Sequence, residues 1–280
     1  MTISFRISRI PKGRGKFREI YIASKEDHLL LRRLMQQLNE IHDRCDNTGA
    51  SYAFLRNRNC ALMALRHIGH LYTLSLDLEN FFESVTTRHV QDVLPHELID
   101  LCFIDGRLRQ GLPTSPVISN IAFCPFDSAI VTALKTLEID AVYTRYADDL
   151  VFSYNDVSAC GKIQTVVRQI MDRGGFKVND KKTSIQSADN GRVIIAGIAI
   201  DSSGLHPTRK TKKKIRAALH QGNEASAAGL SEWSKCKLPN VIFHTAEIGM
   251  PMRRASALIQ GRLGRTVVND TSTSEVHFQL

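Results

Sequence analysis

Three aspartates stand where apolar strand patterns end, and such positions need a partner for the negative charge. Asp148 and Asp149 interrupt the apolar segment AVYTRYADDLVFSYND, residues 141–156, and Asp77 follows the run LYTLSL. Burying an unpaired carboxylate is costly, so a cation is expected nearby. If two strands of one sheet bring the three acids together, their repulsion raises their pKa values unless a cation sits among them.

The cation that suits such a site is a hard divalent ion with oxygen ligands, since Mg²⁺ commonly keeps several waters and binds substrate phosphates. A pair of metal ions bridged by carboxylates is a recurrent arrangement for in-line phosphoryl transfer. The Asp-Asp pair taken alone is more typical of a solvated hairpin turn, and its apolar flanks and the other motifs favour a buried site here. The residue types therefore predict a two-metal phosphoryl-transfer site, with the solvated turn as the alternative.

The composition predicts a globular chain and favours a polyanionic partner. The 280 residues are 43% hydrophobic, enough for one large domain or two small ones. The formal net charge of +9 favours a polyanion, although many soluble proteins that bind none are also basic. Six cysteines without a Cys-x-x-Cys pair indicate reduced thiols and a cytoplasmic location. No uninterrupted apolar run reaches the roughly 18–20 residues that cross a bilayer, so we expect no membrane association.

The elements that must position the acids follow from the periodicity of the apolar residues. Strands and helices alternate between residues 70 and 200, which predicts an α+β fold with an antiparallel sheet and helices on one face. The segments with the clearest patterns are a strand at 15–24, a helix at 25–45, a strand at 71–82, a helix starting near Pro116 and a basic helix in PTRKTKKKIRAALHQ. The segment TRHVQDVLPHELIDLCF is predicted to be helical with a break at Pro95.

Five further motifs resemble those of reverse transcriptases and occur in the same order. They are GKFREIYIAS, LDLENFF, QGLPTSPVISN, GFKVNDKKT and IAGIAID, and the fourth follows the YADD turn. Any one is moderately specific, whereas the ordered set, from about residue 12 to about 216, is very specific. The segments TRYADDLVFS and GLPTSPVISN are most similar to the corresponding segments of bacterial retron reverse transcriptases and their defence-associated relatives.

This resemblance implies a right-hand polymerase fold with fingers, palm and a small helical thumb. The fingers would comprise residues 1–70, and the palm would comprise residues 71–200 with finger insertions around 86–110. The thumb would comprise residues 201–265, and a flexible tail would follow at 266–280. Trp233 is expected in the thumb core rather than against RNA.

The resemblance also assigns roles around the acids. Asp77 and Asp148 would ligate two Mg²⁺ ions, with Asp149 as a weaker outer ligand and the carbonyl of Leu78 as a further oxygen. Lys182 would protonate the departing pyrophosphate. Its alternatives are the neighbouring Lys181 in that role, or an ordinary exposed lysine.

A second group of residues would bind the incoming nucleotide. Arg18 would contact the triphosphate, since a guanidinium recognises phosphate bidentately. The neighbours that could share this contact are Lys12, Arg14 and Lys16. Phe82 would be the sugar gate that excludes a ribose 2′-OH, and Gln110 and Gly111 would lie along the nucleotide and template base. Core packing for Phe82, a Pro-rich turn for the Gln-Gly loop and a generic basic turn for Arg18 are the alternatives.

A third group would hold the template and primer. Tyr146 would pack near the primer or nucleotide, and Gly197 belongs to the predicted primer-grip hairpin. The basic run would form one face of a helix gripping phosphates without reading sequence. Its members are Arg209, Lys210, Lys212, Lys213, Lys214 and Arg216. The alternative is a solvated lysine-rich helix.

The resemblance implies an enzyme that copies a cognate structured non-coding RNA, as template and primer, into short single-stranded DNA (retron msDNA) from dNTPs. It further implies a role in antiviral defence with an effector protein. Two departures weaken the retron assignment: MALRH at 63–67 has Met63 where retron enzymes carry asparagine, and IAG at 195–197 replaces Val-Thr-Gly. The alternatives are a defence-associated enzyme outside the retrons, an RNA-dependent RNA polymerase, and a non-catalytic RNA-binding scaffold.

Overall fold

The computed structural model describes residues 3–13 and 15–238, all within the first of two units of the chain. The strands are β1 Phe5–Gly13, β2 Lys16–Ala23, β3 Tyr72–Asp77, β4 Ala141–Tyr146, β5 Asp149–Tyr154, β6 Ser184–Ser187, β7 Val193–Ile195, β8 Ile198–Asp201 and β9 Gly204–Pro207. The helices are α1 Lys25–Cys45, α2 Cys60–Leu65, α3 Phe81–Ser84, α4 His96–Cys102, α5 Ser115–Thr136, α6 Ala159–Gly174, α7 Arg209–His220 and α8 Glu224–Ser234. Residues 239–265 of the predicted thumb and the predicted tail at 266–280 lie outside the described residues.

A four-stranded antiparallel sheet in the order β4-β5-β3-β6 forms the predicted palm. Alternation along the strands sends Leu74 and Leu76 of β3, with Leu150 and Phe152 of β5, to one face, where all four are fully buried. Helices α5 and α6 supply the facing apolar residues of the same core. The predicted antiparallel sheet with helices on one face is confirmed.

The opposite face of this sheet carries hydroxyl side chains that bind a buried histidine. The ring nitrogens of His67, which follows α2, lie 2.9 Å from Ser153 Oγ and 2.6 Å from Thr144 Oγ1. Thr73 Oγ1 lies 2.7 Å from the same Ser153 hydroxyl. Burial lowers the pKa of His67 to about 3, so the imidazole is neutral and joins α2 to β4 and β5. This histidine of the MALRH motif therefore has a structural partner in the palm.

The buried His67 makes the fold sensitive to acid. Its pKa is about 3 in the folded chain and near 6.5 when unfolded, so lowering the pH between these values protonates only the unfolded state. We expect His67 to cost about 2 kcal/mol of stability between pH 7.5 and pH 5. Urea unfolding of the wild type and of His67→Gln at both pH values measures this. The variant should lose less stability on acidification, and equal losses would contradict the assignment.

A long hairpin of β1 and β2 precedes the palm and begins the predicted fingers. The strands pair antiparallel from Phe5 with Ala23 to Gly13 with Lys16. The sequence predicted only the second strand, because β1 is largely exposed and has no buried alternating face. Helix α1 follows over the predicted residues and is capped by the side chain of Ser24, which accepts from the backbone N–H of Asp27.

A separate three-stranded antiparallel sheet, β7-β8-β9, leads into α7 and α8. The predicted IAGIAID hairpin is its β7–β8 turn, in which Ala196 and Gly197 both have positive φ. A Cβ on Gly197 would lie 3.4 Å from the ring of Trp233 on α8, so the half-exposed indole rests against this turn. Strand β8 spans the predicted palm–thumb boundary at residue 200, and the domain boundaries stay predictions.

One local prediction is wrong in part. The segment from Thr87 to Phe103 forms a 3₁₀ turn at Thr87–His89 and, after the predicted break at Pro95, the short helix α4. Backbone bonds with the neighbouring loop, including Thr87 N–H to Gly106 O, replace the predicted helix before Pro95. Helix α6 ends at Gly174, and Gly175 adopts the left-handed C-cap conformation.

Of the described helices, α5 is long and apolar enough to cross a membrane by length and composition. Its buried residues, among them Ile118, Phe123 and Ile130, belong to the palm core.

Candidate active site

The three predicted carboxylates meet at one end of the palm sheet. Asp77 is the last residue of β3 and pairs in register with Asp149, the first residue of β5. Asp148 precedes it in the turn, and its carbonyl oxygen accepts a hydrogen bond from Leu78 N–H at 3.0 Å. The β3–β5 register therefore brings together residues that are far apart in sequence.

A buried ion pair supports the turn that carries Asp148. The guanidinium of Arg145 donates to Asp127 of α5 through Nε at 3.0 Å and Nη2 at 2.8 Å, and both side chains are almost fully buried. Its remaining Nη1 donates to Asn120 Oδ1 at 3.0 Å and to Ala147 O at 3.4 Å. Ala147 has a φ of 56°, a conformation that a non-glycine residue rarely adopts. Arg145 therefore fixes the turn that carries Asp148 to the core helix.

The same network attaches a loop of the predicted fingers to the palm. Arg145 bonds through its backbone to Ala50 O and Tyr52 N–H, each at 2.8 Å. Asn120, from the motif QGLPTSPVISN, accepts from Ser51 Oγ at 3.0 Å and donates to Ala53 O at 2.9 Å. Sequence analysis gave none of these residues a role. The available signal was an isolated acid, Asp127, within an otherwise apolar helix.

Burial and mutual repulsion shape the charge of the carboxylates. Burial raises the pKa of Asp148, the charge of Asp77 adds to the shift, and Lys182 and Arg18 oppose it. Burial also raises the pKa of Asp149 to about 6, with contributions from Asp148 and Asp77. Such a site attracts cations, because a positive ion would relieve the cost of keeping these acids ionised.

Lys182 is the cation that the chain itself supplies. Its Nζ donates to Asp77 Oδ2 at 2.8 Å, and Asn179 Nδ2 donates to Oδ1 at 3.3 Å. The hydrogen bond to Asp77 raises the pKa of Lys182. Lys182 thus lies at the predicted site, whereas Lys181 has no described contact with the acids.

The carboxylate oxygens of these acids are suitable ligands for a hard divalent ion, although they are not arranged around a single point. In the described part of the chain, no group of three His, Cys, Asp or Glu side chains is arranged to hold a metal ion. The carboxylates are neighbours in register, and the side chain of Asp77 is engaged by Lys182. The oxygens of Asp77, Asp148 and Asp149 are of the type that a divalent ion prefers, and the ligand roles of these acids and of the Leu78 carbonyl stay predictions.

The Gln-Gly loop packs directly on the fingers hairpin. Gln110 O accepts from Tyr21 N–H at 2.7 Å. Gly111 has a φ of 107°, and a Cβ there would lie 2.5 Å from Tyr21 O and 2.7 Å from Ile20 Cγ2. The close approach that this glycine permits is therefore to the fingers backbone, and a contact of Gln110 or Gly111 with nucleotide stays a prediction.

Arg18 lies on the same strand face as Ile20, which meets Gly111. Its charge acts on the carboxyl of Asp148, so this guanidinium belongs to the electrostatic surroundings of the acids. Lys16 is the first residue of β2 and pairs with Gly13, and Lys12 lies at the irregularity of the register just before Gly13, in the exposed end of β1. Arg14 lies outside the described residues. The triphosphate contact stays a prediction for this group.

Phe82 lies at the predicted sugar-gate position with its ring half-buried. Its neighbour Phe81 enters the core and packs on Phe123 and Phe176, whereas Phe82 stays at the edge. The ring centroid of Phe82 is 6.2 Å from that of Phe54, an exposed residue of the fingers loop. Phe82 is packed against the core and against the ring of Phe81, as the core-packing alternative expects, and its sugar-gate role stays a prediction.

A cavity of about 380 Å³ separates the acids from the predicted primer grip. Asp77, Asp149 and Lys182 line one side, and Ile194, Ala196 and Gly197 of the β7–β8 hairpin line the other. Ser75, Val151 and Ser184 complete the lining. Tyr146, half-buried, pairs in register with Asp149 at the same end of the sheet. These placements agree with the nucleic-acid contacts predicted for Tyr146 and Gly197 without testing them.

The basic residues of α7 form one broad exposed face. All six basic residues from Arg209 to Arg216 are exposed, while Thr211 and Ala218 are buried. At 100° per residue the six basic residues occupy one continuous arc of roughly 200°, and the buried Thr211 and Ala218 lie on the opposite side. The predicted basic face is therefore present, and its contact with phosphates stays a prediction. The exposed surface suits a polyanion.

Comparison with known proteins places these features in a family. Residues 10–217 match the family model described as reverse transcriptase (RNA-dependent DNA polymerase). The chain belongs to the reverse transcriptase family. The matched span contains the palm sheet, the three acids and the basic helix, so this reverse transcriptase carries the catalytic region of an RNA-directed DNA polymerase.

Its relatives of known name include retron enzymes. The retron Ec73 reverse transcriptase of Escherichia coli is 32% identical over 237 residues, which cover 75% of this chain and 73% of that protein. The retron Mx65 reverse transcriptase of Myxococcus xanthus is 28% identical, with coverage of 76% and 54%. The retron Ec86 reverse transcriptase of Escherichia coli is 29% identical, and the match covers 65% of this chain and 59% of that protein. The chain is of the retron type and spans little more than half the length of the last two relatives.

Solved structures confirm the right-hand α+β fold. An apo telomerase of Candida tropicalis, truncated from its C-terminal domain, matches with a TM-score of 0.53 at 16% identity, covering 70% of this reverse transcriptase and 53% of that chain. The telomerase of Candida albicans, solved with a fragment of telomeric RNA, matches with a TM-score of 0.55 at 13% identity, with coverage of 74% and 46%. Likeness at such low identity shows the fold alone.

Proposed function

We propose that this reverse transcriptase copies a cognate structured non-coding RNA into short single-stranded DNA by two-metal nucleotidyl transfer. The observation that supports it most is the register of Asp77 with Asp149 beside Asp148, in a chain of the retron type. The retron resemblance supports msDNA as the product, a cytoplasmic location, and a role in antiviral defence with an effector protein.

The chain's own residues would bind and orient the substrates. Arg18, whose charge acts on Asp148, would bind the triphosphate of the dNTP across from the acids. Two Mg²⁺ ions, when bound, would supply positive charge for the primer oxygen and the leaving pyrophosphate. Lys182 now neutralises Asp77 and would have to leave it before donating a proton to pyrophosphate.

The fingers, the palm and α7 would divide the binding of nucleic acid. Tyr146 and Gly197 line the end of the palm sheet where a primer terminus would lie. The exposed lysines and arginines of α7 would hold phosphates of the template–primer without reading its sequence. An RNA template is the partner that the names of the retron relatives support.

Phe82 is expected to select deoxynucleotides. Its half-buried ring leaves no room for a ribose 2′-OH if the sugar lies against it, and valine would remove that obstruction. In Phe82→Val, the preference for dNTP over rNTP, measured as a ratio of kcat/KM values, should fall about tenfold or more. Phe82→Tyr keeps the ring and should keep the preference. An unchanged ratio in Phe82→Val would remove Phe82 from this role.

The nucleic acid that copurifies with the chain tests the retron assignment. We expect RNase, DNase and debranching enzyme to reveal a discrete RNA linked 2′–5′ to short DNA, absent from Asp148→Asn. Unbranched DNA would instead indicate a defence-associated enzyme outside the retrons. Bound RNA without DNA, and without dNTP incorporation on a generic RNA template in Mg²⁺, would favour a non-catalytic scaffold.

A further inference from the structure

The predicted primer-grip hairpin belongs to a sheet that is separate from the palm. In the part of the chain that the structure describes, no strand of β7-β8-β9 pairs with a strand of β4-β5-β3-β6. Strand β6, at the edge of the palm sheet, nevertheless lies beside β7. The position of the hairpin relative to the acids therefore depends on contacts other than a backbone ladder.

One side chain takes the place of that ladder. Gln186 of β6 donates through Nε2 to Ile194 O at 2.9 Å and accepts through Oε1 from Ile194 N–H at 2.8 Å. Both backbone groups of Ile194, the central residue of β7, are thereby satisfied by one carboxamide. Such a two-point contact fixes both the distance and the orientation of β7 relative to β6.

The clamped residue leads directly to the catalytic cavity. Ile194 lines that cavity together with Ala196 and Gly197, which face Asp77 and Asp149 across it. A shift of Ile194 would move the turn two residues later and change the width of the cavity. Trp233 rests against Gly197 at the same turn, as the Cβ position of this glycine shows.

We propose that Gln186 is a positioning residue that holds the β7–β8 hairpin at the distance from the acids at which a primer terminus can react. This role rests on the proposed polymerase function. Gln186 makes no described contact with the acids, so it acts through Ile194. The consequence is a residue that governs primer placement rather than nucleotide binding.

Only a carboxamide on a side chain of this length can both donate to Ile194 O and accept from Ile194 N–H. Gln186→Leu keeps the approximate volume and removes both hydrogen bonds. Gln186→Glu keeps an acceptor for Ile194 N–H, but its second carboxylate oxygen faces Ile194 O, where two acceptors repel each other. Gln36, exposed on α1 and bonded only to Glu40 among its described contacts, offers the matched control Gln36→Leu.

Single-turnover extension of a bound RNA template–primer tests the role. We expect the rate constant of the first dNTP addition to fall about tenfold in Gln186→Leu, as for the loss of two exchangeable hydrogen bonds. Gln186→Glu should also be slowed. The KM for dNTP and the melting temperature should stay at wild-type values, and Gln36→Leu should match the wild type throughout.

Amide hydrogen exchange at Ile194 tests the clamp without activity. We expect faster exchange at Ile194 in Gln186→Leu and unchanged exchange in β3. Wild-type extension rates in Gln186→Leu, or wild-type exchange at Ile194, would overturn the inference. If Gln186→Leu also lowers the melting temperature and the affinity for dNTP, Gln186 has a general structural role, and the inference is overturned as well. A wild-type chain that incorporates no dNTP would instead overturn the proposed function, while exchange still reports on the clamp.

Discussion

Replacing Asp148 with asparagine is expected to reduce dNTP incorporation about a thousandfold or more while leaving the fold intact. The amide keeps the shape of the side chain, and the backbone bond from Leu78 N–H to residue 148 persists. What is lost is a charge in the group that would hold two Mg²⁺ ions, an effect of several kcal/mol on the transition state. Because burial and Asp77 raise the pKa of Asp148, removing its charge should not lower the melting temperature.

Primer extension and thermal unfolding of the same preparation measure both expectations. Asp100→Asn is the matched control, since Asp100 is exposed on α4, and it should extend primers at the wild-type rate. Retained activity in Asp148→Asn would contradict the assignment of the catalytic acids. Loss of activity together with unfolding would leave Asp148 a structural residue.

Replacing Arg145 with methionine is expected to destabilise the chain by about 3–5 kcal/mol, because it leaves Asp127 buried without its partner. The loss should appear in denaturant unfolding. The double replacement Arg145→Met with Asp127→Leu removes both charges and should recover part of the stability, since well-packed apolar residues often replace a buried pair at little cost, whereas the buried Tyr143 hydroxyl loses its acceptor on Asp127.

Primer-extension activity distinguishes the contribution of Arg145 to stability from its contribution to the geometry of the turn that carries Asp148. The double variant restores packing but lacks the donor to Ala147 O and the link to Asn120, so we expect it to fold and still extend primers at least about tenfold more slowly. Full activity in the double variant would show that the turn bearing Asp148 holds its geometry without Arg145. A single variant as stable as the wild type would contradict the ion pair itself.

The meeting of Asp77, Asp148 and Asp149 was predictable because strong local patterns end at these acids. The apolar runs before Asp77 and around Asp148 specify buried strands, and their carboxylates had to meet a cation wherever the strands ended. The helix at residues 25–45 and the basic helix at α7 were predictable for the same reason of clear periodicity.

The supporting contacts were not predictable because each joins side chains or backbone groups of different helices and strands. Arg145 meets Asp127 and Asn120 across two elements, and Gln186 meets Ile194 across two sheets. A buried arginine inside TRYADD has the same local pattern as an exposed one on an edge strand. Strand β1 was not predicted because it is stabilised by its pairing with β2 rather than by a buried face.

RNA-templated DNA synthesis by the purified chain in Mg²⁺ tests the central claim most directly. A defined RNA template with an annealed primer, labelled dNTPs and sequencing of the product are sufficient. We expect DNA complementary to the RNA, dependent on Mg²⁺ and absent with Asp148→Asn. RNA binding without any incorporation of dNTPs would contradict the account and leave a palm that holds RNA without copying it.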